Sequence, residues 1–293
     1  MSGDFVSYWQ DRLDFLDVHY HANPDAYKRR FNAIEAGTAY QKMRGGVLLK
    51  SHLGCTSSVA ATAQSMGLPV FGSVALNSIA GGLDLRSIKQ SLCYYSGNPH
   101  CGRLVVDLPT VVPTQHRSKL KRAYANDAVE RFAQVPCQLG TEQQPLFVGI
   151  DDLLDFCRDE NVVLTTGHAT RTQIESLLNL CVKKGGVRLL LNQPANPITR
   201  MNAAALKSLG KHGWLYVEQT SLTVLLGYQT MEDFQEVLTE VNNVLYSSDL
   251  GQIDQLSPIE WYKQSEVWFE SMQVSPVRVK TITLTNPLHM LSP

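Results

Sequence analysis

The feature that most constrains the fold is a regular alternation of short apolar runs with helical segments. Eight runs with β-strand character end near residues 21, 52, 77, 110, 168, 193, 219 and 249. Successive parallel strands need a crossover connection, which is usually a helix. Eight such units in 293 residues predict one α/β domain over residues 1–293, a (β/α)8 TIM barrel. A doubly wound sheet is the alternative.

The clearest predicted helix is "TRTQIESLLNLCVKKGG", in which apolar residues recur at helical spacing. Thr172 and Glu175 have the spacing of a capping box, and Gly185 can end the helix. Such well-marked helices between the β runs support the alternation.

The connection after the fourth β run, residues 111–148, is unusually long. Long connections in compact domains are often functional, and this one follows a strand on the side where barrel active sites form. It contains the basic stretch "HRSKLKR". We expect a lid insertion that brings His116 to the substrate, or alternatively a solvated surface helix.

Composition narrows the classes of partner. The formal net charge is −1, which argues against nucleic acid or an anionic membrane as the main partner. The N-terminus lacks the pattern of a signal peptide, and no apolar run approaches the ~20 residues that span a bilayer. The six cysteines form no CxxC pair. This pattern indicates free thiols, as in proteins of a reducing compartment. We expect a cytoplasmic protein with a small-molecule substrate; it can form a homo-oligomer.

Polar side chains gather at the predicted strand ends, which meet in one basin in a barrel. His19 and His21 are two residues apart on one strand and would share a face. Four of the eight histidines lie at strand ends, a placement that scattered core histidines would not show. The residues at these ends are His19, His21, Lys50, His52, Asn77, Asp107, His168, Glu218 and Asp249.

Neutral imidazole and carboxylate suit a divalent transition metal, zinc first, with manganese or iron as alternatives. Such an ion lowers the pKa of bound water to about 7 and so provides a nucleophile at neutral pH. The strand ends therefore predict a metal site in which a carboxylate handles the proton.

Four motifs carry a resemblance to a known family. "DVHYH", "TTGH", "SSDLGQ" and the closing "TLTNPLHML" resemble the metal-dependent hydrolases of the amidohydrolase superfamily. "LLKSHLGCT", "FGSVALNSIAGGLD" and "DLPT" look like one uncharacterised amidohydrolase-like family. The resemblance covers nearly the whole chain. It implies that His19, His21 and His168 bind metal, and that Asp249 is a ligand or the general base.

The sequence departs from that pattern at two strands. The sixth usually ends in a metal-binding histidine, but here Asn192 and Gln193 precede Pro194. The bridging lysine or glutamate of the fourth is missing, and Asp107 stands nearby. We therefore expect about one metal per chain, with His52 as a further ligand, since a second-strand histidine resembles the polymerase-and-histidinol-phosphatase barrels.

The predicted reaction is hydrolysis of an amide, lactone or ring imine in a small, acidic substrate. Asp249 would transfer the proton, and Lys50 or Asn77 would stabilise the oxyanion. Lys50 could instead be a carboxylated bridging ligand or a surface residue. Glu218 would contact substrate, metal or a proton, or form a buried ion pair. Non-oxidative decarboxylation and a non-catalytic, ligand-binding barrel are the alternative functions.

Overall fold

A computed structural model describes residues 2–97, 100–113 and 118–293 of the chain. Every strand pairs in parallel with its neighbours, and the strand order follows the sequence. The three-stranded sheet holds β1 (Phe15–His21), β2 (Gly45–Lys50) and β3 (Val70–Phe71). The six-stranded sheet holds β4 (Ser73–Ala75), β5 (Leu104–Asp107), β6 (Val162–Thr165), β7 (Leu189–Leu191), β8 (Leu215–Thr220) and β9 (Val244–Ser247).

Helices separate most of the strands and also precede and follow them. The helices of the first half are α1 (Ser2–Gln10), α2 (Ala33–Gln41), α3 (Ser57–Ser65), α4 (Leu85–Tyr95), α5 (Asp127–Phe132) and α6 (Ile150–Asp159). Those of the second half are α7 (Arg171–Lys183), α8 (Ala203–Leu209), α9 (Ser221–Leu225), α10 (Met231–Glu240), α11 (Pro258–Ser271), α12 (Pro276–Lys280) and α13 (Asn286–Leu291). A 3-10 turn spans Ser78–Ala80 and a π-helical turn spans Thr281–Thr285.

The predicted mixed α/β architecture with parallel strands is confirmed. A doubly wound sheet reverses its strand order at a switch point, and within the described strands no reversal occurs. Sequential parallel strands with intervening helices are consistent with an α/β barrel-like domain.

The third predicted β run is split into β3 and β4 at Gly72. A Cβ at this position would lie 2.9 Å from the Cα of Ser57, so a side chain does not fit. The Gly72 amide donates to the Tyr95 hydroxyl at 3.2 Å rather than to a strand. The close approach of α3 and α4 thus interrupts the ladder for one residue.

Backbone hydrogen bonds also join β1 to the segment that follows β9. The Asp249 amide donates to the His19 carbonyl at 2.8 Å, and the His21 amide donates to the Leu250 carbonyl at 2.9 Å. Tyr20 and Leu250 form a parallel bridge. We call this junction the seam; it brings the first strand of the chain beside the last.

Two apolar cores lie on opposite faces of the strands. The larger core packs strand side chains such as Phe15, Val47 and Val106 against the surrounding helices. The smaller core combines inward-facing strand residues with both terminal helices; its members include Phe5, Trp9, Leu16, Leu48, Val105, Val163, Leu190, Leu245, Leu288 and Leu291. Helices α1 and α13 therefore cover the amino ends of the strands.

The predicted start of α7 was wrong by two residues. Its capping box is formed by Thr170 and Gln173, since each side chain accepts the other's backbone N–H. Glu175 lies inside the helix and pairs with Arg171 at 3.0 Å. Gly185 follows the helix with φ of +80°, as its predicted role as the stop requires. Helices α1, α2 and α9 were not predicted from the sequence.

The structure also bears on the cysteines and on the expected lack of a membrane-spanning segment. All six cysteines are free, as predicted. Across the described parts of the chain, none of the helices combines the length and apolarity needed to cross a bilayer.

Within its described residues, the long connection contains the helix α5 and folds back onto earlier loops. The Lys28 amide donates to the Ala123 carbonyl, and the Ala125 amide donates to the Ala26 carbonyl, each at 3.0 Å. The segment is therefore attached to the loop after β1. His116, the predicted substrate contact, lies outside the described residues.

A glycine at the seam provides a test of the fold. Gly251 has φ of +128°, and a Cβ there would lie 2.0 Å from the His21 carbonyl oxygen. Gly251→Ala should lower the free energy of unfolding by about 1–3 kcal/mol from the clash, in addition to the ~1–2 kcal/mol cost of positive φ. Gly67→Ala is the control, because Gly67 has φ of +79° but open space around it. Equal urea-unfolding midpoints for the two variants would contradict the seam.

Candidate metal centre

A bulge in β1 aims its two histidines inward. The pairing with β2 advances three residues from Asp17 to Tyr20, while the partner strand advances two, from Val47 to Leu49. Before this bulge Leu16 and Val18 face the inner core; after it His19 and His21 face the cavity. Bulges commonly re-aim side chains next to functional sites, and this one places both imidazoles on the inner face.

His19, His21 and Asp249 converge on one point. Asp249 Oδ1 lies 3.2 Å from His19 Nε2 and 3.5 Å from His21 Nε2. Each residue offers a ligand atom within 4.8 Å of the other two. The imidazoles are 8% exposed and the Asp249 side chain is 16% exposed, and all three side chains line the cavity. These three side chains could hold a metal ion.

A carboxylate lies behind each imidazole, and the one behind His19 is within hydrogen-bond distance. His19 Nδ1 lies 3.0 Å from Glu218 Oε1, and His21 Nδ1 lies 3.3 Å from Asp25 Oδ2. A carboxylate at Nδ1 leaves Nε2 as the free nitrogen on the cavity side of the ring, as in metal-binding histidines. Both Nε2 atoms therefore face Asp249.

Negative charge around His19 favours its protonated form in the protein without a metal. Burial alone would lower the pKa of the imidazole, but Glu218 and Asp249 outweigh it and raise the pKa to about 9. Glu218 is fully buried and also accepts from the Ser247 hydroxyl at 2.9 Å. A divalent cation could take the proton's place between these carboxylates.

The carboxylate of Asp249 is held from two sides. Gln193 Nε2 donates a hydrogen bond to Oδ2, opposite the oxygen that faces the histidines. Burial raises the pKa of Asp249, but the neighbouring His19 and His21 outweigh it, so the pKa lies below its ordinary value. Gln193 and Asp249 have φ of +46° and +52°, a region that non-glycine residues seldom adopt and that is concentrated at functional sites.

A second group, His21, Asp25 and His52, also has donor atoms within 4.8 Å of one another. Its carboxylate is already engaged, because Asp25 accepts from Arg29 Nε at 2.7 Å and from the His52 amide at 2.7 Å. Burial opposes ionisation of Asp25, yet Arg29 outweighs it and holds the pKa well below the usual range. Asp25 is therefore a support for His21 rather than a free ligand.

Lys50 and Asp107 form a buried ion pair beside this group. The Lys50 ammonium lies 2.5 Å from Asp107 Oδ1, and each side chain is 4% exposed. Thr165 also donates to that oxygen at 2.5 Å. Both charged residues line the cavity, so Lys50 faces the site but already has a counter-ion.

His52 and His168 line the same cavity but do not belong to the group formed by His19, His21 and Asp249. His52 Nδ1 lies 2.9 Å from the Thr110 hydroxyl, and the rings of His52 and His168 are 6.5 Å apart. Burial lowers the pKa of His52 well below its usual value. Burial and the Arg122 charge lower that of His168 to about 4, so both imidazoles are neutral. His168 belongs to neither described group with metal-ligand spacing.

Asn77 and Glu218 lie behind the cavity wall. Asn77 Nδ2 donates to the His52 carbonyl and to the Thr110 hydroxyl, each at 2.9 Å. Its carbonyl oxygen accepts from the Thr110 and Val111 amides. Within the described residues Asn77 does not line the cavity, so the structure gives it a role in holding the loop after β5. Glu218 lies 3.0 Å from His19 Nδ1, in the buried ion pair that was one of its predicted roles.

The cavity above the cluster has a volume of about 270 Å³. Its lining combines the ionisable groups with several apolar side chains, among them Leu120, Ile198, Leu222 and Leu226. Such a combination of a few polar groups and an apolar wall is typical of a small-molecule site.

Three residues of this site were missed or assigned no role from the sequence. Asp25 supports His21, and its only signal is the basic residue four positions later, Arg29. Gln193 stands where the sequence pattern lacks a histidine, and its hydrogen bond to Asp249 has no signal in the sequence. Arg122 lines the cavity, although its stretch gave only a general basic character.

Comparisons with known proteins give a family but no activity. A family model described as "Family of unknown function (DUF6282)" matches residues 14–218. The match begins just before β1 and ends at Glu218, so it includes both histidines of the cluster but not Asp249. No curated protein matches the chain.

The Glu218 carboxylate provides a test of the centre. Glu218→Gln should weaken Zn²⁺ binding by about 10–100-fold, because the amide supports the Nδ1–H of His19 less well than a carboxylate does. A competition titration against a chromophoric chelator measures the change. Glu236→Gln is the control, since Glu236 pairs with Lys207 at the surface. Unchanged affinity in Glu218→Gln would show that Glu218 does not orient a ligand.

Proposed function

We propose that this chain, which belongs to the DUF6282 family of unknown function, is a metal-dependent hydrolase of small molecules. The observation that carries the proposal is the convergence of His19, His21 and Asp249 beneath a cavity. The proposal agrees with the resemblance of the sequence motifs to the amidohydrolase superfamily.

The proposed scaffold is a closed barrel of eight strands. In this interpretation β3 and β4 are two halves of one barrel strand, separated by Gly72. The seam between β1 and the end of β9 closes the circle through two backbone hydrogen bonds. The inner core and the cavity then occupy the lower and upper parts of the barrel interior, as in TIM-barrel enzymes.

The donor set fits a divalent transition metal. Zinc bonds of 2.0–2.2 Å separate neighbouring tetrahedral ligands by about 3.3–3.5 Å, and Asp249 Oδ1 lies 3.2 and 3.5 Å from the two Nε2 atoms. Each histidine has a carboxylate behind it, the usual second shell of such sites. Zinc is the proposed ion, with manganese or iron as alternatives.

One ion per chain is the proposed stoichiometry. Gln193 occupies the free oxygen of Asp249 where a sixth-strand histidine would supply a ligand. Lys50 neutralises Asp107, which keeps that carboxylate from binding a second cation. His168 and His52 stand at the cavity wall, where they can contact substrate or complete the coordination.

The chain's own groups supply binding and proton transfer. When bound, the ion provides a Lewis acid that activates water at neutral pH. The Asp249 carboxylate, kept ionised by its neighbours, accepts the proton of the attacking water and returns it to the leaving group. Gln193 holds the other carboxylate oxygen, which limits rotation of the side chain during this transfer.

Lys50 is placed to stabilise negative charge that develops on the substrate. Its ammonium faces the cavity and is held by Asp107, so its position is fixed before the reaction begins. Preorganised cations of this kind lower the barrier because they need no rearrangement when charge appears. Lys50 therefore acts as an oxyanion contact rather than as a metal ligand.

Metal content tests the assignment of the ligands. The protein as isolated should carry about one transition-metal ion per chain, and His19→Ala/His21→Ala should remove it, because two of the three clustered donors are lost. Inductively coupled plasma mass spectrometry gives the stoichiometry. His212→Ala, at an exposed position outside the cavity, should retain the ion. Equal metal content in the double variant and the wild type would rule out this site.

The general base is tested by one isosteric change. Asp249→Asn should lower kcat by at least ~100-fold at saturating Zn²⁺, since an amide cannot accept the proton. The substrate comes from a screen of lactones, cyclic amides and aromatic carboxylates against the wild type. Asp254→Asn, an exposed change in the same loop, should leave kcat within about twofold. Wild-type turnover by Asp249→Asn would transfer the role to another group.

A further inference from the structure

The 118–125 segment is fixed beside the cavity at both of its ends. Lys119 Nζ donates to the Leu226 carbonyl at 2.6 Å, and the Lys119 amide donates to the Tyr228 hydroxyl at 3.0 Å. At the other end, Tyr124 bridges to Tyr27 and their rings stack 5.7 Å apart. Side chains between these two attachments thus have defined positions at the cavity wall.

Arg122 lies between the two attachments and lines the cavity. Its guanidinium carbon is 4.9 Å from the centroid of the Tyr27 ring, which supports one face of the cation. The Nε atom is buried and has no hydrogen-bond partner. A buried donor without a partner is costly and needs an explanation.

The other cations near the site have counter-ions. Lys50 is paired with Asp107, and Arg29 is paired with Asp25. Among the described residues, no carboxylate forms an ion pair with Arg122. Of the two described cations that line the cavity, Lys50 and Arg122, Arg122 is therefore the one without a carboxylate partner.

We propose that Arg122 binds the carboxylate of a small monoanionic substrate whose apolar body rests on Leu222 and Leu226. This inference rests on the proposed function, because it names the class of molecule that the hydrolase takes. The planar guanidinium can pair with a carboxylate through two parallel hydrogen bonds. One unpaired cation balances one negative charge, whereas a phosphate dianion would need further donors.

The cavity dimensions agree with a ligand of this class. A volume of about 270 Å³ lies just below the usual range of ligand sites, about 300–1,000 Å³, so only a small ligand fits. Leu120, from the same segment as Arg122, adds to the apolar wall formed by Leu222 and Leu226. The carboxylate would thus be held at the wall, and the reacting bond would lie toward Asp249.

The test measures binding of benzoate, its neutral isostere benzamide and inorganic phosphate by calorimetry. The full-length protein is stripped of metal with a chelator, so that binding through an ion does not contribute. Wild-type protein should prefer benzoate to both other probes. Arg122→Gln should weaken benzoate binding at least about tenfold, as expected for a lost charge-assisted bond. Lys121→Gln, an exposed neighbour, should change it less than about twofold.

Arg122→Lys keeps the charge but loses the planar fork, so benzoate binding should fall between the two other proteins. This variant also serves if Arg122→Gln does not fold. Equal binding of benzoate and benzamide, or unchanged binding in both Arg122 variants, would overturn the inference. Tighter, Arg122-dependent binding of phosphate would overturn the choice of a carboxylate. If the protein proves to bind no metal, benzoate binding should still depend on Arg122. The two proposals can therefore fail separately.

Discussion

Two backbone hydrogen bonds at the seam decide where the candidate metal cluster lies in this protein. Asp249 donates to the carbonyl of His19, and His21 donates to the carbonyl of Leu250, so residues more than 220 positions apart become neighbours. The carboxylate and both imidazoles then share one small volume. Because these bonds involve the backbone, the position of the cluster depends on the junction between β1 and the segment after β9 more than on any single side chain.

The sequence predicted the strand ends well because they follow from local patterns. Alternating β runs and helices indicated that His19, His21 and Asp249 would meet at one edge, and the structure brings them within 4.8 Å. The bulge in β1 could not be predicted, since it depends on the register with β2. Simple alternation from Phe15 would have turned His19 toward the helices, where Phe15 packs.

Side-chain partners were predicted less well than positions, because they depend on distant segments. Asp25 meets His21 and Arg29 locally, but Glu218 reaches His19 across 199 residues. These buried charges cost desolvation, and such pairs contribute little net stability. Their contribution is geometric, because each pair holds one imidazole of the site in place relative to Asp249.

Helices α1 and α13 cover the amino ends of the strands, on the side away from the cavity. Arg103, just before β5, donates its amide to the Leu291 carbonyl at 2.7 Å, and the Trp9 indole donates to the His100 carbonyl at 2.9 Å. Both outermost helices are thus anchored on one side of the molecule. A resin, a surface or a fluorescent protein joined to either helix would leave the cavity mouth unobstructed, so an immobilised form could exchange small molecules freely.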